Sequence, residues 1–115
     1  SLIPADLGAE VAAVQFPALA GVVPGYGRHS PCQWGLGVEI RGEKSPHWTA
    51  PMASPATFGH FGQSGSFVWV DRARAASAVF LGDHPFGQWH KDNWPALNAR
   101  LLSMVDGPTG GPGAR

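Results

Sequence analysis

The sequence is poor in charge, in cysteine and in long apolar runs, and each shortage excludes a class of protein. Charged residues make up 14% of the 115 residues, against about 25% in typical soluble domains. Because eight basic residues balance eight acidic ones, the basic surface expected of a nucleic-acid-binding protein is absent. No apolar run approaches the roughly 18 residues that a membrane span requires. The sequence therefore predicts neither a nucleic-acid partner nor a membrane span.

Patterns for cofactor and metal binding are also missing. The single cysteine, Cys32, permits neither an internal disulfide nor a cysteine-based zinc cluster. The five histidines form no His-x-His pair and no His-Glu-x-x-His motif, and no phosphate-binding loop or dinucleotide fingerprint is present. We therefore expect no cofactor and no metal. The cellular compartment is not indicated.

The sequence is instead rich in apolar and aromatic residues. Hydrophobic residues make up 43% of the chain, and five of them are tryptophans. Low charge combined with many large aromatics predicts a surface that something else covers. A further stretch of polypeptide, a second copy or a ligand would each supply that cover. We expect the chain to self-associate or to be poorly soluble when it is made alone.

Strand patterns dominate the middle of the chain. Alternation from Gln33 to Arg41 predicts a strand buried on one side. Its predicted buried face carries Trp34, Leu36, Val38 and Ile40. Aromatic and β-branched residues predict two more strands within Thr57–Asp71, joined by a turn at Gln63–Ser64–Gly65. Ala76–Leu81 then completes an antiparallel meander.

Helical spacing predicts one helix near each end of the chain. The first lies within Ser1–Ala13, and the second begins at Asp92 or Asn93 as the N-cap. The apolar face of the second carries Trp94, Leu97, Leu101 and Met104. The predicted fold class is α+β, an antiparallel β-sheet meander with a C-terminal helix packed on one face. The domain covers residues 1–105, and Asp106–Arg115, which lacks an apolar anchor, is predicted to be a disordered tail.

Two features leave alternatives open. Gly59 and Gly62, inside an apolar hairpin, indicate a close approach to the backbone, made either by a ligand or by another element of the fold. In the long connection Gly42–Ala56, Trp48 either stacks on a substrate or anchors the loop to the core.

His60–Phe61–Gly62, followed by a short polar-glycine turn and an apolar strand ending at Asp71, resembles the third active-site motif of one superfamily. This is the serine β-lactamase and penicillin-binding-protein superfamily, in which Lys-Thr-Gly is the usual form. His-Thr-Gly-like forms occur in its class C-like branch, which includes esterases and peptidases. The resemblance spans Gly25–Leu102 and matches only the C-terminal part of that domain.

The resemblance implies a role for each residue of the motif. His60 stands in place of the family's lysine, Gly62 lets the substrate backbone pass close by, and the Gln63 N–H donates to the oxyanion. The residues predicted to contact substrate are Phe61 and Ser64 at the motif and, from the long connection, Trp48. A histidine is mostly neutral at pH 7 whereas a lysine is charged, and Phe61 removes a hydroxyl donor. The substrate implied is therefore an ester, amide or peptide with an apolar portion, not a β-lactam held by its carboxylate.

Two other motifs of that superfamily are missing. No serine is followed three residues later by lysine, and the only tyrosine, Tyr26, does not begin a Tyr-x-Asn motif. We therefore interpret the chain as the C-terminal fragment of a β-lactamase-related serine hydrolase, inactive alone because it lacks the nucleophile. The alternatives are a non-catalytic binding module that uses Trp48, Phe61 and Trp69, and a structural remnant without activity.

Overall fold

The computed structural model describes residues 2–107. In order, the elements are α1 (Ala5–Val11), β1 (Gly21–Val23), β2 (Gly27–His29), β3 (Glu39–Ile40), β4 (Phe58–Phe61), β5 (Phe67–Asp71), β6 (Ala76–Phe80) and α2 (Gln88–Asp106). Strands β3 to β6 form an antiparallel sheet in the order β3-β4-β5-β6, and β1 pairs with β2 in a separate hairpin. The α+β fold class, with a C-terminal helix on an antiparallel meander, is confirmed.

The core lies between the sheet and α2. Phe61, Phe67 and Phe80 are aligned across three neighbouring strands and point toward the helix. Trp94 of α2, which is fully buried, packs against all three, with ring centroids 5.8, 5.0 and 6.1 Å away. Edge-to-face aromatic pairs at these distances add to the stability gained from area burial alone. This cluster therefore fixes the angle at which α2 crosses the sheet.

The strand predicted over Gln33–Arg41 is wrong in its extent and in its buried face. Only Glu39–Ile40 is a strand, and Leu36 is half exposed whereas Glu39 is buried. The reason is a reversal of the chain: Trp34 bridges Glu39 antiparallel, and Gly37 lies at φ +88° in the left-handed region. Glycine adopts that conformation without strain, so a tight turn interrupts the period-two pattern.

The C-terminal helix begins earlier than predicted. Its first residue is Gln88, and the Gly87 N–H at the N-cap donates to His90 Nδ1 at 3.0 Å. The buried face of α2 carries His90, Trp94, Asn98 and Leu102. Met104, predicted to lie on the buried face, is 77% exposed. The helix extends through Asp106, so the predicted tail does not begin there, and residues 108–115 lie outside the described part of the chain.

No helix within residues 2–107 is both long enough and apolar enough to span a membrane.

Candidate functional site

A groove of about 390 Å³ opens where β4 ends. It is lined by Val23, Pro24, Trp34, Glu39, His60, Phe61, Gly62 and Gln63. The β4–β5 turn forms one side of the groove, closed by hydrogen bonds from Gly62 N to Ser66 O and from Gly65 N to Gly62 O, both 3.0 Å. Gly65 has φ +79°, which explains the glycine after Gln63–Ser64. The turn places His60, Gly62 and Gln63 on one groove.

Of the two backbone hydrogen-bonding groups of Gln63, only the carbonyl has a partner among the described residues. Its carbonyl accepts a hydrogen bond from Phe86 N at 2.9 Å, whereas its N–H has no hydrogen-bond partner among residues 2–107. Two other donors of the turn, Gly62 N and Gly65 N, are used within it. Because Gln63 is exposed, water can satisfy its N–H, so leaving it unpaired costs little. The N–H thus stays without a protein partner in this part of the chain, at a residue that lines the groove.

His60 lies at the groove on the sheet face away from α2. Its side chain is exposed, and its ring meets the edge of Trp34 at a centroid distance of 5.6 Å. Phe61, one residue on, points to the opposite face and packs on Phe86 at 4.8 Å. Phe61 therefore borders the groove while belonging mainly to the core. Ser64 is exposed at the turn but is not among the residues that line the groove.

The prediction that Trp48 contacts substrate is wrong for this conformation. Trp48 is 1% exposed and packs between Phe61 and Phe67, at 5.7 Å from each ring. Its indole N–H donates to Glu39 Oε1 at 2.9 Å. The loop residue is an anchor because its large apolar ring is buried and its only donor is satisfied there. Trp69 is equally buried, so the two tryptophans of the predicted recognition surface are unavailable to a partner.

The two glycines of the hairpin, Gly59 and Gly62, border different surroundings. A Cβ at Gly59 would collide with the carbonyl oxygen of Val68 on the neighbouring strand, so the close approach there is made by the fold itself. A Cβ at Gly62 would meet nothing nearer than Ser64 Oγ at 3.9 Å. Gly62 therefore borders open space, which agrees with an approach by a ligand.

Sequence reasoning missed a buried polar cluster beneath the groove. Glu39 is 3% exposed, and its Oε2 accepts from Lys44 Nζ at 2.9 Å and lies 2.6 Å from His47 Nε2. Lys44 also donates to the carbonyls of Gln33 and Ile40, at 3.0 and 2.6 Å, so each of its three N–H groups has an acceptor. These residues come from a strand and a long loop, and no periodic pattern relates them.

Charges in this cluster follow from its hydrogen bonds. Burial raises the pKa of Glu39, but the hydrogen bond and charge of His47 and the hydrogen bonds from Lys44 and Trp48 outweigh it and lower the pKa to about 2. Burial also lowers the pKa of His47, against the opposing effect of Glu39. His47 Nδ1 accepts from Thr49 Oγ1 at 2.7 Å and from Thr49 N at 3.3 Å, which leaves the proton on Nε2. At pH 7 we assign a Glu39 carboxylate paired with Lys44⁺ and a neutral His47, which gains its charge only at lower pH.

Tyr26, beside this cluster, was also missed. It is 5% exposed, its ring lies 6.0 Å from Phe61 and 6.3 Å from His47, and its hydroxyl has no partner within the described residues. Burial, and then the charge of Glu39, raises the pKa of its hydroxyl. Tyr26 is therefore neutral, and its ring lies between the aromatic core and the Glu39 cluster.

No cluster of three or more potential metal ligands occurs among residues 2–107.

Comparison with known proteins identifies the fold on which these residues lie. No family model matches the chain, and no curated protein matches it. Among solved structures, the chain is similar to a crystal structure of a β-lactamase from Mycobacterium bovis, with 50% sequence identity and a TM-score of 0.89. The match covers 91% of this chain but only 39% of the other. The chain thus has a β-lactamase-like fold and spans well under half of the length of that protein.

Proposed function

We propose that the chain forms one wall of the active-site cleft of a β-lactamase-related serine hydrolase that cleaves ester, amide or peptide bonds. The observation that carries the proposal is the Gln63 N–H, which has no partner within the described residues and borders the same groove as His60 and Gly62. The similarity to a β-lactamase structure supports the same class of chemistry.

The proposed hydrolysis requires a hydrogen-bond donor at the position where negative charge develops in the transition state. When a serine hydroxyl attacks the substrate carbonyl, the carbonyl oxygen becomes an oxyanion, and its charge is stabilised by backbone N–H groups held in place beforehand. In our proposal Gln63 N–H supplies one such donor, worth about 3–4 kcal/mol in transition-state stabilisation. The turn holds Gln63 from both sides, through Gly62 N and through the Phe86–Gln63 hydrogen bond.

The nucleophile is not supplied by a motif of this chain. None of its serines is followed at the third position by lysine, and a serine without an adjacent base is a weak nucleophile. In our proposal the serine and its base come from the remainder of a complete domain and face the groove from the opposite side. The chain then contributes the oxyanion donor and the substrate-binding wall.

Groove chemistry favours a neutral, partly apolar substrate. The lining contains Val23, Pro24 and Trp34, and neither lysine nor arginine is among the lining residues. Glu39 also borders the groove, and its carboxylate is paired with Lys44 at 2.9 Å, so the charge of Lys44 is not available to bind a substrate carboxylate there. We therefore propose an apolar ester, amide or peptide substrate, oriented by stacking beside Trp34 and His60, over a substrate held by a carboxylate.

A hybrid domain tests the proposal. This chain replaces the matched region of the Mycobacterium bovis β-lactamase, and hydrolysis of neutral p-nitrophenyl esters and of a chromogenic cephalosporin is measured. We expect kcat for the ester to fall about 10²- to 10³-fold in Gln63→Pro, which removes the N–H. Gln63→Ala, which keeps the N–H, is the matched control and should retain activity.

Circular dichroism of both variants separates loss of the donor from loss of the fold. Unchanged ester turnover in a folded Gln63→Pro variant would contradict the role of the N–H. A preference for the cephalosporin over neutral esters would contradict the proposed substrate class while leaving the hydrolase proposal standing.

A further inference from the structure

A further cavity, of about 310 Å³, adjoins the candidate groove at Trp34, which lines both. Its lining contains no charged residue. Apart from the thiol of Cys32, its polar side chain is that of Gln15, whose amide donates to the carbonyls of Glu10 and Ala13 at 3.4 Å. Cavities of about 300–1,000 Å³ are typical of small-molecule sites. The cavity therefore offers no charge to a ligand, which favours an uncharged, apolar occupant.

The walls of this cavity include apolar side chains that the fold leaves exposed. Phe16 and Val22 are 75% and 63% exposed, and Leu19 and Leu36 are also exposed. Single exposed apolar residues are normal on a protein surface, whereas several that line one concave patch mark an interaction site. These four side chains are therefore placed to contact an apolar ligand.

Backbone hydrogen bonds hold the two segments that form the walls. Gln15 N donates to the carbonyl of Trp34, and Cys32 N donates to the carbonyl of Leu19, both at 2.8 Å. Phe16 lies at φ +50°, a left-handed conformation that is strained in residues other than glycine. Such strain is concentrated at ligand-binding and active sites. The fold thus holds an exposed phenylalanine at this cavity in spite of backbone strain.

We propose that this cavity is an acyl subsite, which binds the unbranched aliphatic acyl chain of an uncharged ester or amide substrate. The subsite is defined by Phe16, Leu19, Val22, Trp34 and Leu36. The inference rests on the proposed function: when the substrate carbonyl lies at the Gln63 N–H, a chain that extends along the groove passes Trp34 and enters the subsite. An acetyl group does not extend that far, so the subsite selects longer acyl groups.

A series of p-nitrophenyl esters tests the subsite in the hybrid domain. We expect kcat/KM to rise at least tenfold from acetate to octanoate, since each buried methylene strengthens binding about three- to fourfold. In Val22→Glu, and in Leu36→Glu as a second variant on another segment, the ratio of octanoate to acetate should fall about tenfold, because burying the chain also desolvates the new charge. Val105→Glu, on the exposed side of α2, is the matched control and should keep the wild-type ratio.

Two outcomes of this series would overturn the acyl subsite. The first is an active hybrid domain that does not prefer octanoate, and the second is a preference that neither Val22→Glu nor Leu36→Glu reduces. Either result leaves the proposed hydrolase function standing. Because both side chains are exposed, the variants should keep the circular dichroism spectrum of the parent, so a lost preference would not reflect unfolding.

Ligand binding to the chain itself provides a measurement that does not depend on hydrolysis. Octanamide is titrated into the chain, and the NMR signals of the Trp34 indole N–H and the Val22 amide are followed. We expect a saturable shift with octanamide but not with acetamide, and an affinity weakened about tenfold or more in Val22→Glu but not in Val105→Glu. No saturable octanamide shift would overturn the subsite. Saturable binding in a chain whose hybrid domain hydrolyses no ester would support the subsite and contradict the proposed function.

Discussion

Trp69 Nε1 donates a hydrogen bond to Asn98 Oδ1 at 2.9 Å, which ties the centre of β5 to α2. The same amide donates through Nδ2 to the carbonyl of Trp48 at 2.9 Å. Asn98 is fully buried, so one side chain satisfies a strand and the long loop at once. Since that loop also contributes Lys44 and His47 to the cluster under the groove, Asn98 holds together the elements that shape the site.

Replacing Asn98 by alanine should destabilise the fold by about 2–4 kcal/mol. The substitution leaves the Trp69 N–H and the Trp48 carbonyl buried without partners, and each unsatisfied group costs about 1–3 kcal/mol. Asn93→Ala is the matched control, because Asn93 is exposed on the same helix and should change stability by less than about 0.5 kcal/mol. Urea unfolding gives both values, and equal midpoints for the two variants would contradict the prediction.

The Glu39 cluster predicts a pH dependence of stability. The pKa of Glu39 is lowered to about 2 in the folded chain, against roughly 4.3 in an unfolded chain. The unfolded state thus binds more protons in this range, and stability is lost as pH falls from about 4.5 toward 2. The lowered pKa of His47 acts in the same direction, with its contribution lost as pH falls below about 6.5.

Measurement of the unfolding free energy from pH 7 to pH 3 checks this dependence. In Glu39→Gln the decline at low pH should be shallower, and at pH 7 the variant should be less stable by about 3–5 kcal/mol because Lys44 loses its buried partner. Glu43→Gln removes the same charge at an exposed neighbouring position and should keep the wild-type pH profile. A profile unaffected by Glu39→Gln would rule out Glu39 as the source.

The parts of the fold that the sequence predicts are those governed by local patterns. The hairpin around Gln63–Ser64–Gly65 is predictable because β-forming residues flank turn residues, and the structure places the turn there. The extent of the preceding strand, predicted over Gln33–Arg41, is not predictable in this way. The chain reverses at Gly37, which interrupts a pattern that looks continuous in the sequence. The β-propensity of a residue depends on the side chains that pack against it in the sheet. The sequence pattern alone does not show which contacts form after such a turn.

The residues of the candidate site also form two groups: those that a local motif predicts and those that only the tertiary structure brings together. His60, Gly62 and Gln63 are close in sequence, so a motif alone predicts that they lie together at the groove. The alternating pattern predicts Glu39 on a solvent-facing side, and its burial follows instead from partners in a loop, Lys44 and His47. Only tertiary structure brings these three together, because a buried charge needs partners that local sequence does not specify.

Replacement by alanine should destabilise the fold at Gly59 and leave its stability nearly unchanged at Gly62. Gly59→Ala places a Cβ against the Val68 carbonyl oxygen, and such overpacking typically costs about 1–3 kcal/mol. Gly62→Ala meets open space, so its stability should change by less than about 0.5 kcal/mol. In the hybrid domain, Gly62→Ala should raise KM for the ester because the added methyl narrows the groove. Equal loss of stability in the two variants would show that Gly62 is also held by packing.

The isolated chain should hydrolyse no ester and no β-lactam above background. Its serines lack the lysine that would act as their base, and removing the nucleophile–base pair eliminates most of the catalytic power of serine hydrolases. Ser64 is an exposed serine directly after Gln63 in the turn, so it is the serine whose replacement is tested. Assays with p-nitrophenyl acetate and a chromogenic cephalosporin test this, with Ser103→Ala as the control for Ser64→Ala. Turnover that Ser64→Ala abolishes and Ser103→Ala preserves would mean that the chain carries its own nucleophile, and the assignment of that role to another segment would then be wrong.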